Sequence, residues 1–309
     1  MQKTNLTIGV LLLLCIFSIT GCGSGMQEKE KPEWKAKHVV FIGLDGWGSY
    51  SMAKADMPHV QQLMSEGCYT LQKRTVLPSS SAVNWASMFM GAGPELHGYT
   101  TWGSQTPDLP SRELNRNGMF PNIFNMLREA VPEAEIGAIY EWEGIKYLVD
   151  TLSLDYYQHV PNDNKLNTAL TGAAVKYIKE KKPTLAAFIY DSPDDTGHAD
   201  GHDTPGYYAK LKELDDQIGE IIQAMKEAGI YDNSIIIVTS DHGGIDKGHG
   251  SISMMEMETP FIIAGKGIYP GRKFQESMMQ FDVAPTIADI FYLDPPQVWV
   301  GRSMKQVFN

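Results

Sequence analysis

The amino-acid sequence predicts an α/β fold, with a mostly parallel central sheet and helices on both of its faces. Short continuous apolar runs and the amphipathic segments between them support this prediction. We interpret the apolar runs as buried strands, at residues 38–44, 135–140, 184–190, 234–240 and 260–264. The clearest helical pattern spans residues 204 to about 228, with Leu211, Leu214, Ile218 and Ile221 on one face. Apolar strands separated by amphipathic helices are typical of a parallel sheet covered on both sides.

The composition indicates one globular domain, which we place at residues 37–309. The chain has 309 residues, of which 43% are hydrophobic and 20% are charged, and this is enough for one large core. The formal net charge of −11 at pH 7 argues against a nucleic-acid partner. An acidic chain that binds phosphate needs a local source of positive charge, which bound metal ions can supply.

The first 22 residues resemble the signal peptide of a bacterial lipoprotein. Lys3 precedes an apolar stretch at residues 6–19, which is short for a membrane span and matches the apolar region of a secretory signal. The following "ITGC" resembles a lipobox and predicts a lipid on Cys22; an ordinary signal peptide cleaved nearby is the alternative. Residues 23–36 then predict a flexible tether. We expect a lipid-anchored protein of the cell envelope, at the periplasmic face or the outer membrane.

The cysteine content excludes a disulfide framework under this interpretation. Cys15 lies in the segment that would be removed, and Cys22 would carry the lipid. Cys68 then has no partner for an intrachain disulfide.

Residues 103–161 differ in character from the rest of the chain. They are rich in proline, asparagine and aromatic residues, and we predict a cap-like insertion over the sheet edge. Trp102, Trp142 and Lys146 are candidates to contact a substrate there. Aromatic residues at this density are as often part of a core.

Acidic and imidazole side chains follow three of the predicted strands. Asp45 follows the first strand, in "GLDGWG" at residues 43–48. "DSPDDTGHADGH", residues 191–202, follows the strand at 184–190, and Asp241 and His242 follow the strand at 234–240, with His249 a little later. Carboxyl ends of parallel strands meet at one edge of a sheet, where this many carboxylates would repel one another without a cation. Mixed Asp and His ligands favour zinc or a similar divalent ion over calcium.

A serine run lies where a nucleophile could face that metal. Ser79, Ser80 and Ser81 follow Pro78 and precede a predicted helix that ends at Gly91. Backbone N–H groups at a helix N-terminus favour a phosphate or an oxyanion. On this evidence alone the serines could equally be helix caps.

Together these segments resemble the alkaline phosphatase superfamily, and within it the type I phosphodiesterase/nucleotide pyrophosphatase branch. The resemblance covers nearly the whole mature chain and rests on "SAVN" at 81–84, "GAGPELHG" at 91–98, "DDTGH" at 194–198, "SDHG" at 240–243 and "QFDVAPTIADIF" at 280–291. It implies that Ser81 is the nucleophile and that Asn84 stabilises the oxyanion. It also implies two zinc ions, one held by Asp194, His198 and His249. Ligands of the other would be Asp45, Ser81, Asp241 and His242.

The reaction implied by the resemblance is hydrolysis of a small phosphate ester through a phospho-serine intermediate. One metal would activate the Ser81 hydroxyl, and the other would stabilise the leaving oxygen. A phosphomonoesterase of the same superfamily remains an alternative. A sulfatase would need a "C/S-x-P-x-R" segment, which "SSAVNW" at residues 80–85 does not match. A non-catalytic, lipid-anchored binding protein would be expected to lack one or more ligands.

Several polar residues are assigned other roles. We predict that His202 is a residue of the site rim and that His97 is structural. Asp191 and Asp195 could reach a metal, but we expect them either to lie behind the metal ligands or to be solvated. The sequence does not predict an oligomeric state.

Overall fold

The computed structural model describes residues 33–162 and 165–309. The predicted signal peptide, the predicted lipid on Cys22 and nearly all of the predicted tether lie outside the described residues. Among the described residues, no helix is both long and apolar enough to cross a membrane.

Eight strands form one sheet in this part of the chain. They are β1 His38–Asp45, β2 Gly67–Arg74, β3 Ile136–Tyr140, β4 Tyr156–His159, β5 Leu185–Pro193, β6 Ser234–Thr239, β7 Glu258–Gly265 and β8 Arg272–Lys273. Their order across the sheet is β4-β3-β5-β1-β6-β7-β2-β8. β7 runs antiparallel to both β6 and β2, and the other neighbouring pairs are parallel. The prediction of a mostly parallel sheet is therefore confirmed.

Helices lie on both sides of the sheet, as predicted. They are α1 Pro58–Glu66, α2 Ser81–Met90, α3 Pro94–His97, α4 Ile123–Ala130, α5 Thr168–Lys181, α6 Asp194–Asp200, α7 Pro205–Glu227, α8 Met254–Met257 and α9 Val283–Ile290. On one side α2, α4 and α9 bury aromatic and aliphatic residues such as Trp85, Phe124 and Ile287. On the other side α7 buries the predicted apolar stripe, including Leu211 and Ile218.

The span 103–161 differs from a cap-like insertion in one respect. It contributes β3 and β4 to the edge of the sheet, with β3 paired to β5, and α4 to the core. The apolar side chains of β3 and α4 are buried, so burial of their surface ties much of the span to the main domain.

The sheet order sets the position of the candidate site. β5, β1 and β6 are neighbours and parallel, and Asp45 at the end of β1 lies opposite Pro193 at the end of β5. Gly43 of β1 pairs with Thr239, the last residue of β6. The three strands therefore end at nearly the same level, and the residues that follow them meet at one edge.

Candidate metal centre

The carboxylates predicted at the strand ends come together at this edge. Asp45 is the last residue of β1, Asp194 is the first residue of α6 after β5, and Asp241 follows β6 by two residues. All three are buried. Burial of several like charges is unfavourable unless a cation or hydrogen bonds compensate them.

Helix α2 brings Ser81 to the same place. Ser81 is the first helical residue and is buried at the helix N-terminus. The helix ends at Met90, and the next residue, Gly91, has a φ of 58°, in the left-handed region that glycine adopts easily. The Ser81 hydroxyl oxygen lies 3.2 Å from Nε2 of His242. Ser81 therefore lies beside the residues that follow β6.

His242 is oriented so that its Nε2 atom faces oxygen atoms. Its Nδ1 atom lies 2.8 Å from the carbonyl oxygen of Gly243, so Nδ1 carries the hydrogen and Nε2 of the neutral ring has a lone pair. Burial lowers the pKa of His242 to about 3, which keeps the ring neutral. Nε2 is nevertheless 3.4 Å from Oδ1 of Asp45 and 3.3 Å from Oδ2 of Asp241. A lone pair between carboxylate oxygens is the arrangement that a bound cation would stabilise.

The same two carboxylate oxygens are unpaired in the described chain. Oδ1 of Asp45 and Oδ2 of Asp241 are buried, with no hydrogen-bond partner among the described residues. The opposite oxygens are held by protein donors, since Trp85 Nε1 donates to Asp45 Oδ2 at 3.1 Å and the Gly46 amide donates to Asp241 Oδ1 at 3.2 Å. One oxygen of each carboxylate is thus fixed, while the other is free to bind a metal.

Burial and neighbouring negative charge also raise the pKa values of these two carboxylates. Burial, followed by the charge of Asp241, raises the pKa of Asp45 well above its usual range. Burial, followed by the charge of Asp194, raises the pKa of Asp241 to about 7. A divalent cation among them would favour both ionised forms.

A second cluster surrounds Asp194. Its Oδ2 atom lies 3.0 Å from Nε2 of His198 and 3.6 Å from Nε2 of His249. The Nδ1 atoms of these histidines face the backbone carbonyl oxygens of Lys247 and Ser79, at 2.8 and 3.1 Å. A histidine whose Nδ1–H donates to a carbonyl has Nε2 available as a ligand, as is usual for metal-binding histidines.

The charge balance at Asp194 differs from that at the other two carboxylates. Burial would raise its pKa, but hydrogen bonds from His198, His202 and His249 hold the pKa well below its usual range. The hydrogen bond to Asp194 in turn raises the pKa of His198 to about 9. Protonated His198 would lose a proton on binding a metal, so this cluster would bind metal more tightly at higher pH.

The structure therefore brings together every residue predicted to hold a metal. Ligand atoms of Asp45, Asp241 and His242 lie within 4.8 Å of one another, and so do those of Asp194, His242 and His249. His242 lies between the two groups, and its ring stacks on that of His249 with 3.8 Å between the centroids. The donor set of carboxylate, imidazole and hydroxyl groups fits zinc or a similar divalent ion.

A further acidic and imidazole group, formed by His59, Asp215 and Asp216, lies away from this site. Both Asp215 oxygens accept backbone N–H groups, from His59 and Val60, and Asp216 pairs with Lys212. Groups of the protein therefore already pair with the carboxylates of Asp215 and Asp216, which need no metal ion to compensate their charge.

Asn84 has contacts that differ from its predicted role. Its Oδ1 accepts from the Val76 amide at 2.8 Å. Its Nδ2 group donates to the carbonyl oxygens of Val76, Pro78 and Ser80 at 3.3, 3.1 and 3.0 Å. Backbone groups thus bind both ends of the Asn84 side chain, which stabilises the loop that precedes Ser81.

The prediction that His202 lies at the rim of the site is wrong. Its side chain is 0% exposed, and Nε2 lies 3.2 Å from Oδ1 of Asp194. His97 is buried, with Nε2 3.0 Å from Ser87 Oγ and Nδ1 accepting from the Tyr99 amide, as expected for a structural residue. Asp195 accepts from Ser192 Oγ at 2.7 Å, and neither it nor Asp191 belongs to the two metal-binding groups.

Sequence reasoning missed a buried support behind Asp241. The Lys73 ammonium is fully buried and donates to the Ser240 carbonyl oxygen at 2.7 Å and to the Gln280 side chain. Gln280 donates to the carbonyl oxygens of Ser240 and Asp241. These bonds fix the backbone that carries Asp241, and burial lowers the pKa of Lys73 well below its usual range. Gln280 begins "QFDVAPTIADIF", one of the segments that carry the family resemblance, and this position could have indicated a role near the site.

Trp102 lies next to the nucleophile helix. Its carbonyl oxygen accepts from the Ala82 amide at 3.2 Å, one residue after Ser81. Its side chain is 66% exposed and stacks on Trp142, with 6.4 Å between ring centroids and 26° between ring planes. The exposed Trp102 indole thus stacks on the half-buried Trp142 ring, and the Trp102 backbone contacts the residue after the candidate nucleophile.

Comparisons with known proteins agree with this geometry. The profile of the type I phosphodiesterase / nucleotide pyrophosphatase family matches residues 39–259. Among curated proteins, the bis(5'-adenosyl)-triphosphatase ENPP4 of Bos taurus is 24% identical over 246 residues, which are 75% of this chain and 52% of that protein. The chain thus spans about half the length of the curated relatives it matches.

Solved structures show the same fold. Murine ectonucleotide pyrophosphatase/phosphodiesterase 5, in an inactive form in complex with AMP, superposes with a TM-score of 0.74 at 16% identity, covering 88% of this chain and 100% of that one. A 2-O GAG sulfatase superposes with a TM-score of 0.70 at 15% identity, covering 88% of this chain and 74% of that one. At these identities the likeness concerns the fold alone.

Proposed function

We propose that this chain, which belongs to the type I phosphodiesterase / nucleotide pyrophosphatase family, hydrolyses phosphate diesters at a two-metal centre through a phospho-serine intermediate. One observation carries the proposal. The neutral Nε2 atom of His242 lies within 3.4 Å of the unpaired carboxylate oxygens of Asp45 and Asp241 and 3.2 Å from the Ser81 hydroxyl. A bound metal would make this arrangement of lone pairs favourable, and the fold already places the Ser81 hydroxyl beside it.

The proposed metal ions are two zinc ions. Asp45, Ser81, Asp241 and His242 would hold one, and Asp194, His198 and His249 the other. Two such ions would supply Lewis acidity at the attacking and the leaving oxygen. The closeness of the two clusters through His242 and His249 supports a shared site.

Ser81 would perform the first displacement. Its Oγ forms a bond to phosphorus while the bond from phosphorus to the leaving oxygen breaks. The N-terminus of α2 orients backbone N–H groups toward the phosphate oxygens. Asn84 would keep the loop at residues 76–80 in position by its bonds to three carbonyl oxygens. Water then cleaves the phospho-serine and restores the Ser81 hydroxyl.

Three alternatives remain, in order. A phosphomonoesterase would use the same centre and would gain from a cation near the third phosphate oxygen; Lys146 pairs with Glu143 at 2.6 Å and is a poor candidate. A sulfatase shares the fold, but counted from Ser81 the proline and arginine of the sulfatase pattern are replaced by Val83 and Trp85. A non-catalytic binding protein would not need a hydroxyl beside the ligands.

The proposed location is the cell envelope, with a lipid on Cys22, because "ITGC" follows an apolar stretch of signal-peptide length. A small phosphate ester is the proposed partner. The net charge of −11 is the reason that we propose no nucleic-acid partner.

Hydrolysis of three chromogenic esters tests the function. The protein is stripped with a chelator, resupplied with zinc and assayed on a phosphate monoester, a phosphate diester and a sulfate ester. We expect the highest kcat/KM on the diester, with no hydrolysis of any ester before zinc is added. Fastest hydrolysis of the monoester or of the sulfate would support the corresponding alternative. Bound zinc without any hydrolysis would support a binding protein.

A further inference from the structure

The two oxygens of Asp194 have separate partners. Oδ2 lies 3.0 Å from His198 Nε2 and 3.6 Å from His249 Nε2, whereas Oδ1 lies 3.2 Å from His202 Nε2. Both ring nitrogens of His202 face acceptors, since Nδ1 also lies 3.2 Å from the Asp246 carbonyl oxygen. A carboxylate only accepts hydrogen bonds, so the bond to Asp194 forms when Nε2 carries a hydrogen. This bond fixes the rotation of the carboxylate and leaves Oδ2 directed toward the two histidines.

The His202 ring is itself firmly held. Its side chain is 0% exposed, and its ring lies close to both Gly197 and Gly244. A side-chain carbon at either glycine would overlap the ring, so these positions leave the space that the imidazole fills. Because the ring has little room to rotate, its hydrogen bond holds the Asp194 carboxylate in one orientation.

His202 also joins two segments of the site. Its backbone amide donates to the Asp246 carbonyl oxygen at 2.6 Å. Asp246 belongs to the loop between β6 and α8, which carries His249. His202 therefore contacts the Asp194 carboxylate through its ring and the His249 loop through its backbone.

A sharp turn makes these contacts possible. Asp194 and His198 lie one turn apart on α6, which ends at Asp200. Gly201 then has a φ of 101°, in the region that favours glycine. The chain turns back there, so His202 approaches Asp194 from outside the helix.

We infer that His202 is a positioning residue that holds the Asp194 carboxylate in its metal-binding orientation. The inference rests on the proposed function, since it requires a metal at Asp194, His198 and His249. A hydrogen-bond partner behind a ligand typically contributes 10–100-fold to metal affinity. If His202 only filled space in the core, its loss would lower stability and affect both metals equally.

Metal titration of the full chain against a chromophoric chelator tests the inference, with zinc as the probe. We expect His202→Ala to weaken one binding step by about 10–100-fold and to leave the other near the wild-type value. His202→Gln can still donate to Asp194 and should recover part of the loss. His38→Ala is the matched control, because the His38 ring contacts the Pro183 carbonyl oxygen at the opposite end of β1.

Two reference variants identify the affected step. His198→Ala should weaken the same step as His202→Ala, and Asp45→Asn the other one. The double variant His198→Ala/His202→Ala should be less impaired than the sum of the single changes, because both act on one metal. Thermal unfolding of the metal-free variants measures any loss of stability separately.

The outcomes distinguish the inference from the proposed function. Wild-type protein that binds no zinc overturns both. Wild-type protein that binds two zinc ions, with unchanged affinities in His202→Ala, overturns the inference alone. Equal weakening of both steps, with a matching fall in the stability of the metal-free protein, also overturns it and makes His202 a packing residue.

Discussion

The hydroxyl oxygen of Ser81 lies 3.2 Å from Nε2 of His242, across the junction between helix α2 and the loop after β6. His242 cannot turn freely, because its Nδ1–H is bound to the Gly243 carbonyl oxygen. Ser81 is fixed by its place at the start of a buried helix. The folded chain therefore places the candidate nucleophile Ser81 next to His242, a candidate metal ligand.

Replacing Ser81 by alanine should abolish turnover while most of the metal binding remains. We expect kcat to fall by about 10³-fold or more, because the two-step reaction has no nucleophile without the hydroxyl. Zinc content and thermal unfolding should stay close to wild type, since the change removes one oxygen atom. Steady-state kinetics on a chromogenic diester provide the measurement.

Ser79→Ala is the matched control for this prediction. The Ser79 hydroxyl donates to the Ser251 carbonyl oxygen at 2.7 Å, so its loss should affect the loop more than the chemistry. Near wild-type turnover in Ser81→Ala, together with loss of turnover in Ser79→Ala, would show that the nucleophile is misassigned.

A buried carboxyl beside the site should make stability depend on pH. Burial raises the pKa of Glu141 from 4.5 to about 7, and Glu141 accepts from the Asp191 amide and from Asn167 Nδ2. Between these pH values the folded chain keeps the proton that the unfolded chain releases. Glu141 therefore lowers the free energy of unfolding as pH rises from about 4.5 to 7.

Glu141→Gln should remove this penalty. We expect the variant to gain on the order of 2 kcal/mol relative to wild type between pH 5 and pH 8. Denaturant unfolding of the metal-free proteins at both pH values measures the difference. Glu133→Gln, which changes an exposed carboxyl, is the control. An equal pH dependence in wild type and Glu141→Gln would contradict the assignment.

The stacked indoles of Trp102 and Trp142 should influence substrate preference. Trp102→Ala and Trp142→Ala should change the ratio of kcat/KM for a diester to that for a monoester by about 3–10-fold, which is the range of one aromatic contact. Metal content should not change, because neither ring belongs to the ligand clusters. Lys146→Ala tests whether the Lys146 ammonium group, which pairs with Glu143, adds to the preference.

Thermal unfolding separates this role from a structural one. Trp102 is 66% exposed, so its loss should alter the melting temperature little. Equal loss of activity on both esters, in step with a lower melting temperature, would make these residues part of the packing alone.

The proposed lipid anchor has its own test. Cys22→Ala should abolish acylation, so the protein should move from the membrane fraction to the soluble fraction of the cell envelope. Fractionation followed by immunoblotting measures this. A Cys22→Ala protein that has lost its signal peptide and still sediments with membranes would refute the anchor.

The sequence predicted the central strands well because they are continuous apolar runs. β1, β5 and β6 are buried on both faces, and the ligands follow them directly. β4 was missed, since its four residues, "YYQH", alternate between half-buried and exposed positions. The antiparallel direction of β7 was also not predicted, because an apolar run carries no signal of strand direction.

Site residues were harder to assign when their roles depend on distant contacts. His202 belongs to a polar stretch, and its burial depends on Gly197, on Gly244 and on the turn at Gly201. Asn84 has suitable chemistry for an oxyanion donor, but its direction is set by carbonyl groups of the loop at residues 76–80. Residue type and spacing do not show which way a side chain points in the folded protein.

The metal content of the purified protein tests the central claim most directly. The protein is supplemented with zinc, passed through gel filtration to remove free metal, and measured by elemental analysis. We predict two zinc ions per chain, with Asp241→Asn and His198→Ala each retaining about one. Less than one metal ion per wild-type chain would contradict the two-metal centre.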